Sequence, residues 1–567
     1  MTKSRLMLLL MLGALAGAGT GCATSGIRSA TAESSGIDKI FQAWANPAAP
    51  GCAVAIIKEG EVIYERGYGC ANLEYGTPIT PSTVFYIASA AKQFTAMSVL
   101  LLVKEGKLSL ADDIRKHLPE VPDFGKVITI RHLLHHTSGL RNYEDLLTMA
   151  GWRMDDVHTC EHMLDMISRQ KELNFPPGEE YLYCNTGYIL LAEIVRRASG
   201  QSFREFTDRN IFQPLGMTNS HFQDDYTSIV TNRASSYSSD GNGSFKNAFN
   251  NSSVVGGGGM YSTVGDLARW LNNLDRGLVG GPGVLKQMHE RGVLNSGKTN
   301  DYACGLAIQR CKGMEMVEHG GGFAGYRAET IRFPAQRCAI VLLANADTID
   351  TYQVTRQIAD LFLTGTRPLT NPPAPKRNLQ AGARVEPDSA AFEAYTGQYE
   401  IKGAIITVRI ADKKLLARAT GGPEIELVPE SENAFVIQAD ESRVLFHRDE
   451  SGKVISLTVE KQNGETHIAH RIKPLDPQEL SGLIGDYYSD ELGTSYTIRL
   501  KNKELIAQHH RHGEIPLIPS SVADRFVAQG WFELVFTRNN EGTVTGLKLS
   551  GDRSRNLQFH RRSQTGI

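Results

Sequence analysis

The middle of the chain mixes two hydrophobic rhythms, and its last third keeps to one. Two short apolar runs, Ala53-Val-Ala-Ile-Ile57 and Val62-Ile-Tyr64, flank a glycine-containing turn and predict a hairpin. A short helix is expected over Ile37–Trp44. A buried helix is expected next, with Phe94, Met97, Leu100, Leu101 and Val103 supplying its apolar run and Ser82 or Thr83 as the expected cap. A second long apolar helix follows Asn185, reaching Val195, and Cys338–Asn345 reads as a central strand. Beyond Arg367-Pro-Leu-Thr-Asn-Pro-Pro-Ala-Pro-Lys376, a proline-rich linker, only short alternating runs remain, such as Ile405–Ile410 and Tyr496–Leu500.

That last third repeats itself. Tyr395-Thr-Gly-Gln-Tyr399 is echoed by Ile484-Gly-Asp-Tyr-Tyr488, and Val444–Val454 by Leu534–Val544. Regularly spaced strands in two copies predict two antiparallel barrels. The expected divisions are a signal at 1–32, a first domain at 33–366, the linker at 367–386, and barrels at 387–474 and 475–567. A chain of 567 residues has room for about three or four domains.

Composition narrows the function. Hydrophobic residues make up 41% and charged residues 22%, with a net charge of −2, so no polyanionic partner is implied and nucleic acid is excluded. Lys3 and Arg5 precede Leu6–Leu12 and a small-residue stretch, which is the pattern of a secretory signal rather than of a spanning helix. Gly19-Thr-Gly-Cys22 resembles a lipoprotein box, although it lacks the usual leucine, and Ala30-Thr-Ala32 offers an ordinary cleavage site. Export to the periplasm or cell envelope is expected, with a lipid on Cys22 as the means of membrane attachment. Eight cysteines, one of them Cys22, form no tidy disulfide framework, and none is assigned to Cys52 and Cys70. His132, His135 and His136 sit among apolar neighbours before a Thr-Ser-Gly stop. They read as a packed helix end, so no metal and no cofactor is assigned.

The candidate chemistry starts at Ser89-Ala-Ala-Lys92. Three residues apart on a helix, the hydroxyl and the amine share one face. If that face is buried, the amine loses its hydration and its pKa falls, so that it can take the serine proton. The same two-letter pattern recurs at Ser168/Lys171, but there it lies among charged residues and reads as a solvated helix end. Tyr183 and Asn185, two apart in extended backbone, point the same way and could reach one pocket. His319 is followed by three glycines whose bare backbone could face an oxyanion. Four glycines at 256–259 lack the lysine of a phosphate loop and read as backbone crowding before a helix capped by Ser262 or Thr263.

In this order, Ser89/Lys92, Tyr183/Asn185 and His319-Gly-Gly resemble the motifs of the penicillin-recognising serine hydrolases, which include class C β-lactamases, D-alanyl-D-alanine carboxypeptidases, D-aminopeptidases and related esterases. His136-Thr-Ser-Gly-Leu140, Pro214-Leu-Gly-Met217 and Asp266-Leu-Ala-Arg269 extend the resemblance over about 37–363. It implies an α/β sandwich of antiparallel sheet and flanking helices with a helical lobe. Ser89 would be the acylated nucleophile, Lys92 and Tyr183 the proton-transfer groups, and Asn185, His319 and Gly321 substrate-binding residues. The N–H groups of Ser89 and Gly322 would form the oxyanion hole. His319 replaces a lysine common in the group, which favours the aminopeptidase and esterase branches over those acting beside a carboxylate. Cys184, usually serine, reads as a packing residue.

The tandem barrels are similar to the lipocalin-like barrels appended to bacterial D-aminopeptidases, where a loop from the last barrel reaches the site and helps bind the amine. The segment His510–Gln529, with Glu514 and Asp524, is the expected loop. Three readings follow: a hydrolase of small peptides or amides with an N-terminal D-residue, an esterase or carboxypeptidase/β-lactamase-related enzyme, or an inactive protein whose barrels bind a ligand or cell-wall material. The substrate is accordingly a small peptide, an ester or a peptidoglycan-derived molecule.

Overall fold

In the computed structural model, residues 36–363 and 389–562 are described, apart from positions 402–403, 421, 439, 462–463, 474, 476 and 529–530. The signal, Cys22 and the proline-rich linker lie outside the described residues.

The run Ala53–Ile57 shows no apolar–polar alternation because its strand, β1 (Cys52–Lys58), is covered on both faces. Ala53, Ala55 and Ile57 face one core, and Cys52, Val54 and Ile56 face another. Glu59 and Gly60 turn with positive φ into β2 (Glu61–Tyr68), as the hairpin pattern requires. The sheet is completed by β3 (Ala307–Cys311), β4 (Met314–Phe323), β5 (Tyr326–Phe333) and β6 (Cys338–Ala344), in the order β3-β4-β5-β6-β1-β2, with every pairing antiparallel.

Helix α1 (Lys92–Lys104) lies beneath the sheet, together with α2 (Tyr143–Met149), α3 (Asn185–Ser199) and α4 (Val264–Arg276). Helix α5 (Thr351–Phe362) and the helix at 36–41 cover the opposite face. Helix α4 is capped by Thr263, whose hydroxyl accepts from Asp266 N–H. Ser82 and Thr83 do not cap α1. They close an earlier turn, with Thr83 Oγ1 accepting from Thr80 N–H, while a 3-10 turn at Ala88–Ala91 leads into the helix without a side-chain cap.

Helix α1 is buried all round from Lys92 to Leu100, polar positions included. Each of those has a partner. Trp270 Nε1 donates to Gln93 Oε1 at 2.9 Å, Thr95 Oγ1 to Gly256 O at 2.8 Å, and Ser98 Oγ to Phe94 O at 2.8 Å. A polar stripe inside a core costs little once each group is bonded, and it fixes the helix rotation.

Both C-terminal repeats close into eight-stranded antiparallel barrels, the first from Gly397–Ile401 to Thr466–Arg471 and the second from Gly485–Ser489 to Leu557–Arg561. Their sequence echo is structural. Arg448 and Arg538 each donate to a glycine carbonyl four residues on, and Tyr399 and Tyr487 each donate to a carbonyl four residues back.

The second barrel docks on the helical lobe through one buried ion pair. Arg141 Nη1 meets Glu491 Oε2 at 2.6 Å, both side chains being 1% exposed. Arg141 Nε also donates to Arg555 O at 3.1 Å, and Lys171 N–H to Glu491 Oε2 at 2.9 Å. Removing one partner strands a buried charge. Glu491→Ala is therefore expected to cost about 3–5 kcal/mol of stability and to expose the interface to protease. A loss under about 1 kcal/mol in thermal unfolding, the size of an exposed pair, would contradict this.

Candidate active site

Ser89 sits in the 3-10 turn just before α1, where residues three apart eclipse, so Lys92 stands directly against it. Lys92 Nζ lies 3.0 Å from Ser89 Oγ, 2.7 Å from Asn185 Oδ1 and 2.5 Å from Gly257 O. The side chain is 0% exposed. Burial lowers its pKa to about 7, an effect opposed by Glu144 and reinforced by Arg553. The amide and carbonyl oxygens can only accept. A neutral amine gives one hydrogen to each of them, and its lone pair is left facing the serine hydroxyl.

Tyr183 lines the cavity beside Ser89, and its ring centroid lies 4.9 Å from Lys92 Nζ. Burial raises the phenol well above its usual range, so it stays protonated near neutrality. His136 packs tilted against this ring, with centroids 4.2 Å apart, and its Nδ1 accepts from Cys184 N–H at 3.1 Å. The stretch His136–Tyr143 is thereby zipped to 182–186: Leu182 N–H donates to His136 O, Asn185 N–H to Asn142 Oδ1, and Thr186 Oγ1 to Arg141 O. Cys184 is buried, its thiol 3.3 Å from Leu140 O and its pKa raised by burial. The other histidines are engaged separately. His132 closes a capping box with Thr129, and His135 Nε2 lies 3.2 Å from Glu290 O.

Asn185 opens α3 rather than continuing the extended segment. Its Nδ2 donates to Glu144 Oε2 at 2.8 Å, so one amide hydrogen remains for another acceptor in the cavity it lines. The glycines at 256–259 are crowded, as their spacing suggests: a Cβ on Gly256 would meet Tyr188 O at 2.5 Å. They also place the Gly257 carbonyl on Lys92. A Cβ on Gly321 would meet Ile87 O at 2.3 Å and Ser89 N at 2.8 Å, so only glycine lets β4 run against the serine turn. Gly322 and Ser89 both line the cavity. Ala88, beside the nucleophile, has φ of 47°.

His319 lies elsewhere than expected. Its Nε2 lies 2.8 Å from Tyr302 OH, its Nδ1 lies 2.7 Å from Gly320 O, and its ring is 6.3 Å from that of Tyr183. Burial and Lys92 push its pKa down to about 3. It is a neutral support behind Tyr183 and does not line the cavity.

The expected barrel segment does not line the cavity either. Glu514 pairs with Lys501, Asp524 with Arg538, and His512 reaches only Thr148 O on the lobe. The loop at 551–556 arrives instead and places Arg553 in the cavity wall, with its Nη2 3.3 Å from Glu144 Oε2. Sequence reasoning missed Glu144 and Arg553. Glu144 lies four residues after Leu140, close to the His136–Leu140 motif, a signal that was available. Arg553 carries no local motif. The cavity, of about 130 Å³, holds Ser89, Tyr183, Asn185, Glu144, Gly322 and Arg553 in its lining.

Residues 37–363 match the Beta-lactamase family model. The chain belongs to that family. A penicillin-binding protein of Bacillus subtilis (strain 168) is 30% identical over 408 residues, covering 68% of this chain and 88% of the relative. A D-aminopeptidase of Brucella anthropi is 25% identical over 527 residues, covering 90% of this chain and 95% of the relative. The octameric penicillin-binding protein homologue from Pyrococcus abyssi superposes with a TM-score of 0.54 at 26% identity, over 77% of this chain and 99% of that one. Like these Beta-lactamase family relatives, the protein is a serine hydrolase.

Ser89→Ala is expected to abolish turnover and leave the fold intact. Ser168→Ala should change neither, since Ser168 is exposed and bonded only to Asp165 O. With the base buried and titrating at about 7, kcat/KM should rise with pH to a plateau above neutrality. A profile flat from pH 5 to 9 would contradict the role of Lys92.

Proposed function

We propose that the protein hydrolyses small peptides or amides bearing a free amine, by way of an acyl-enzyme on Ser89, in the manner of a D-aminopeptidase. The observation that carries the chemistry is the buried Lys92 amine aimed at Ser89 Oγ. Lys92 takes the serine proton as Oγ attacks the acyl carbon. The oxyanion rests on the N–H groups of Ser89 and Gly322, which line the same cavity. Tyr183, held protonated, hands its proton to the leaving amine and is reprotonated from Lys92. Water then hydrolyses the ester by the same route in reverse.

Glu144 supports the choice of substrate. It is a carboxylate in the wall of a small cavity, where it can receive an ammonium one carbon from the scissile carbonyl. The cavity's size favours a short substrate over a polymer. The 90% coverage by a D-aminopeptidase supports the same choice. On the pattern of residues 3–19 we further propose that the enzyme is exported and works in the cell envelope.

D-alanine p-nitroanilide should be cleaved and its N-acetyl form should not, with activity lost in Ser89→Ala. Glu144→Gln should raise KM for the free amine about tenfold, as expected for one lost charge-assisted bond. Equal cleavage of both forms would reject the aminopeptidase reading. Cleavage of neither, beside Ser89-dependent turnover of a p-nitrophenyl ester, would make the protein an esterase.

A further inference from the structure

Arg553 comes from the second barrel, yet it stands in the wall of the acylation cavity. Its backbone is clamped on both sides by the catalytic domain. Arg553 N–H donates to Asp145 Oδ2 at 2.6 Å, and its carbonyl accepts from Asn174 Nδ2 at 2.9 Å and Asn142 N–H at 3.3 Å. Next to it, Asn142 N–H donates to Ser554 Oγ at 3.0 Å, and Arg555 N–H to Asn174 Oδ1 at 2.7 Å. Four of these bonds hold the main chain and a fifth holds the Ser554 side chain, so the Arg553 side chain is delivered to one place.

The guanidinium it delivers is under-used. Of its five N–H donors, one meets Glu144 at 3.3 Å, and Nε is buried without a hydrogen-bond partner, its nearest acid being the exposed Asp552 at 3.8 Å. Glu144 does not depend on it, because the same oxygen already accepts from Asn185 at 2.8 Å. Arg553 is also the only permanent cation among the described residues lining the cavity. His319 is outside it, and Lys92 is the proton acceptor. A fixed, planar, partly unsatisfied cation beside a nucleophile is suited to a carboxylate.

We propose that Arg553 binds a carboxylate on the substrate, so that the second barrel makes the hydrolase selective for peptides whose free carboxylate lies within about one residue of the scissile bond. The inference rests on the reading of this cavity as the acylation site, and it adds an anionic end to the amine that Glu144 receives. A free dipeptide has both ends. Substrate ammonium and carboxylate then replace the long Glu144–Arg553 contact with two shorter charged bonds. A lysine in place of His319 is not needed for this, because the cation enters from the barrel instead.

The test is a ratio. The intact chain is assayed with D-alanyl-D-alanine and its C-terminal amide, and in parallel with 3-(butyryloxy)benzoate and phenyl butyrate, an ester pair that carries or lacks the carboxylate on the same, leaving-group side. In wild type the carboxylate-bearing member of a pair should have the higher kcat/KM, by ten- to a hundredfold. That ratio should collapse towards one in Arg553→Ala and be partly retained in Arg553→Lys. A purely structural loop residue would lower both members together and leave the ratio unchanged, which would overturn the proposal, as would a wild-type ratio near one. If only the esters are turned over, the aminopeptidase reading fails and the ester ratio decides the role of Arg553.

Discussion

The whole catalytic domain is arranged around one uncomfortable group, an amine with no access to water. Leaving an ammonium at the position of Lys92 would cost several kcal/mol of lost hydration unless every hydrogen were bonded. The surroundings answer with two obligate acceptors, Asn185 Oδ1 and Gly257 O, and one ambiguous partner, Ser89 Oγ. Two acceptors satisfy a neutral amine, and the third direction is left for its lone pair. The proton preference of Lys92 and its aim at the serine therefore have a common origin in burial.

Holding that arrangement needs backbone where side chains would usually sit. Gly256–Gly259 press against α3 and Tyr86 closely enough that a Cβ on three of the four would come within 3 Å of a neighbour, and Gly321 does the same against the serine turn. Ala88 accepts a left-handed backbone beside Ser89, a cost of about 1–2 kcal/mol that the packing of the buried turn around it must offset. Tyr183 is fixed from behind by His136, Tyr302 and His319, none of which lines the cavity. The neutral His319 fits this place because a cation there would face Lys92 across a dry core.

What could be read from the residues followed from how local each signal was. Ser89/Lys92 and Tyr183/Asn185 are pairs within one turn or one short segment, and their convergence needed only the order of the motifs. The barrels were legible because their strands alternate and the echo between copies preserves the glycines and arginines of the turns. The burial of α1 was legible in its apolar run, and its polar positions are satisfied by tertiary partners such as Trp270 and Gly256. Two features resisted. His319 faces Tyr183 and Tyr302 from one layer behind the cavity lining, a depth that position along the strand does not give. Arg553 was missed because a loop 464 positions from Ser89 carries no periodicity, and acids in a neighbouring loop looked the better match for an amine.

The placement of Arg553 changes what the barrels are for. Lys92, Asn185, Glu144 and Arg553 form one continuous chain of polar contacts at 2.7, 2.8 and 3.3 Å, running from the nucleophile's base into the second barrel. Glu144 shifts the amine of Lys92 in one direction and Arg553 in the other, so the charge of a barrel residue enters the electrostatics of the catalytic lysine. The same docking surface holds the buried Arg141–Glu491 pair, with Arg141 also reaching the carbonyls of Arg555 and Asn556, in and at the end of the loop that carries Arg553. A contact that fastens the domains and a contact that shapes the cavity thus share one short loop. A barrel serving only as a surface module would have no reason to place its tightest interdomain bonds there, against the wall of the site.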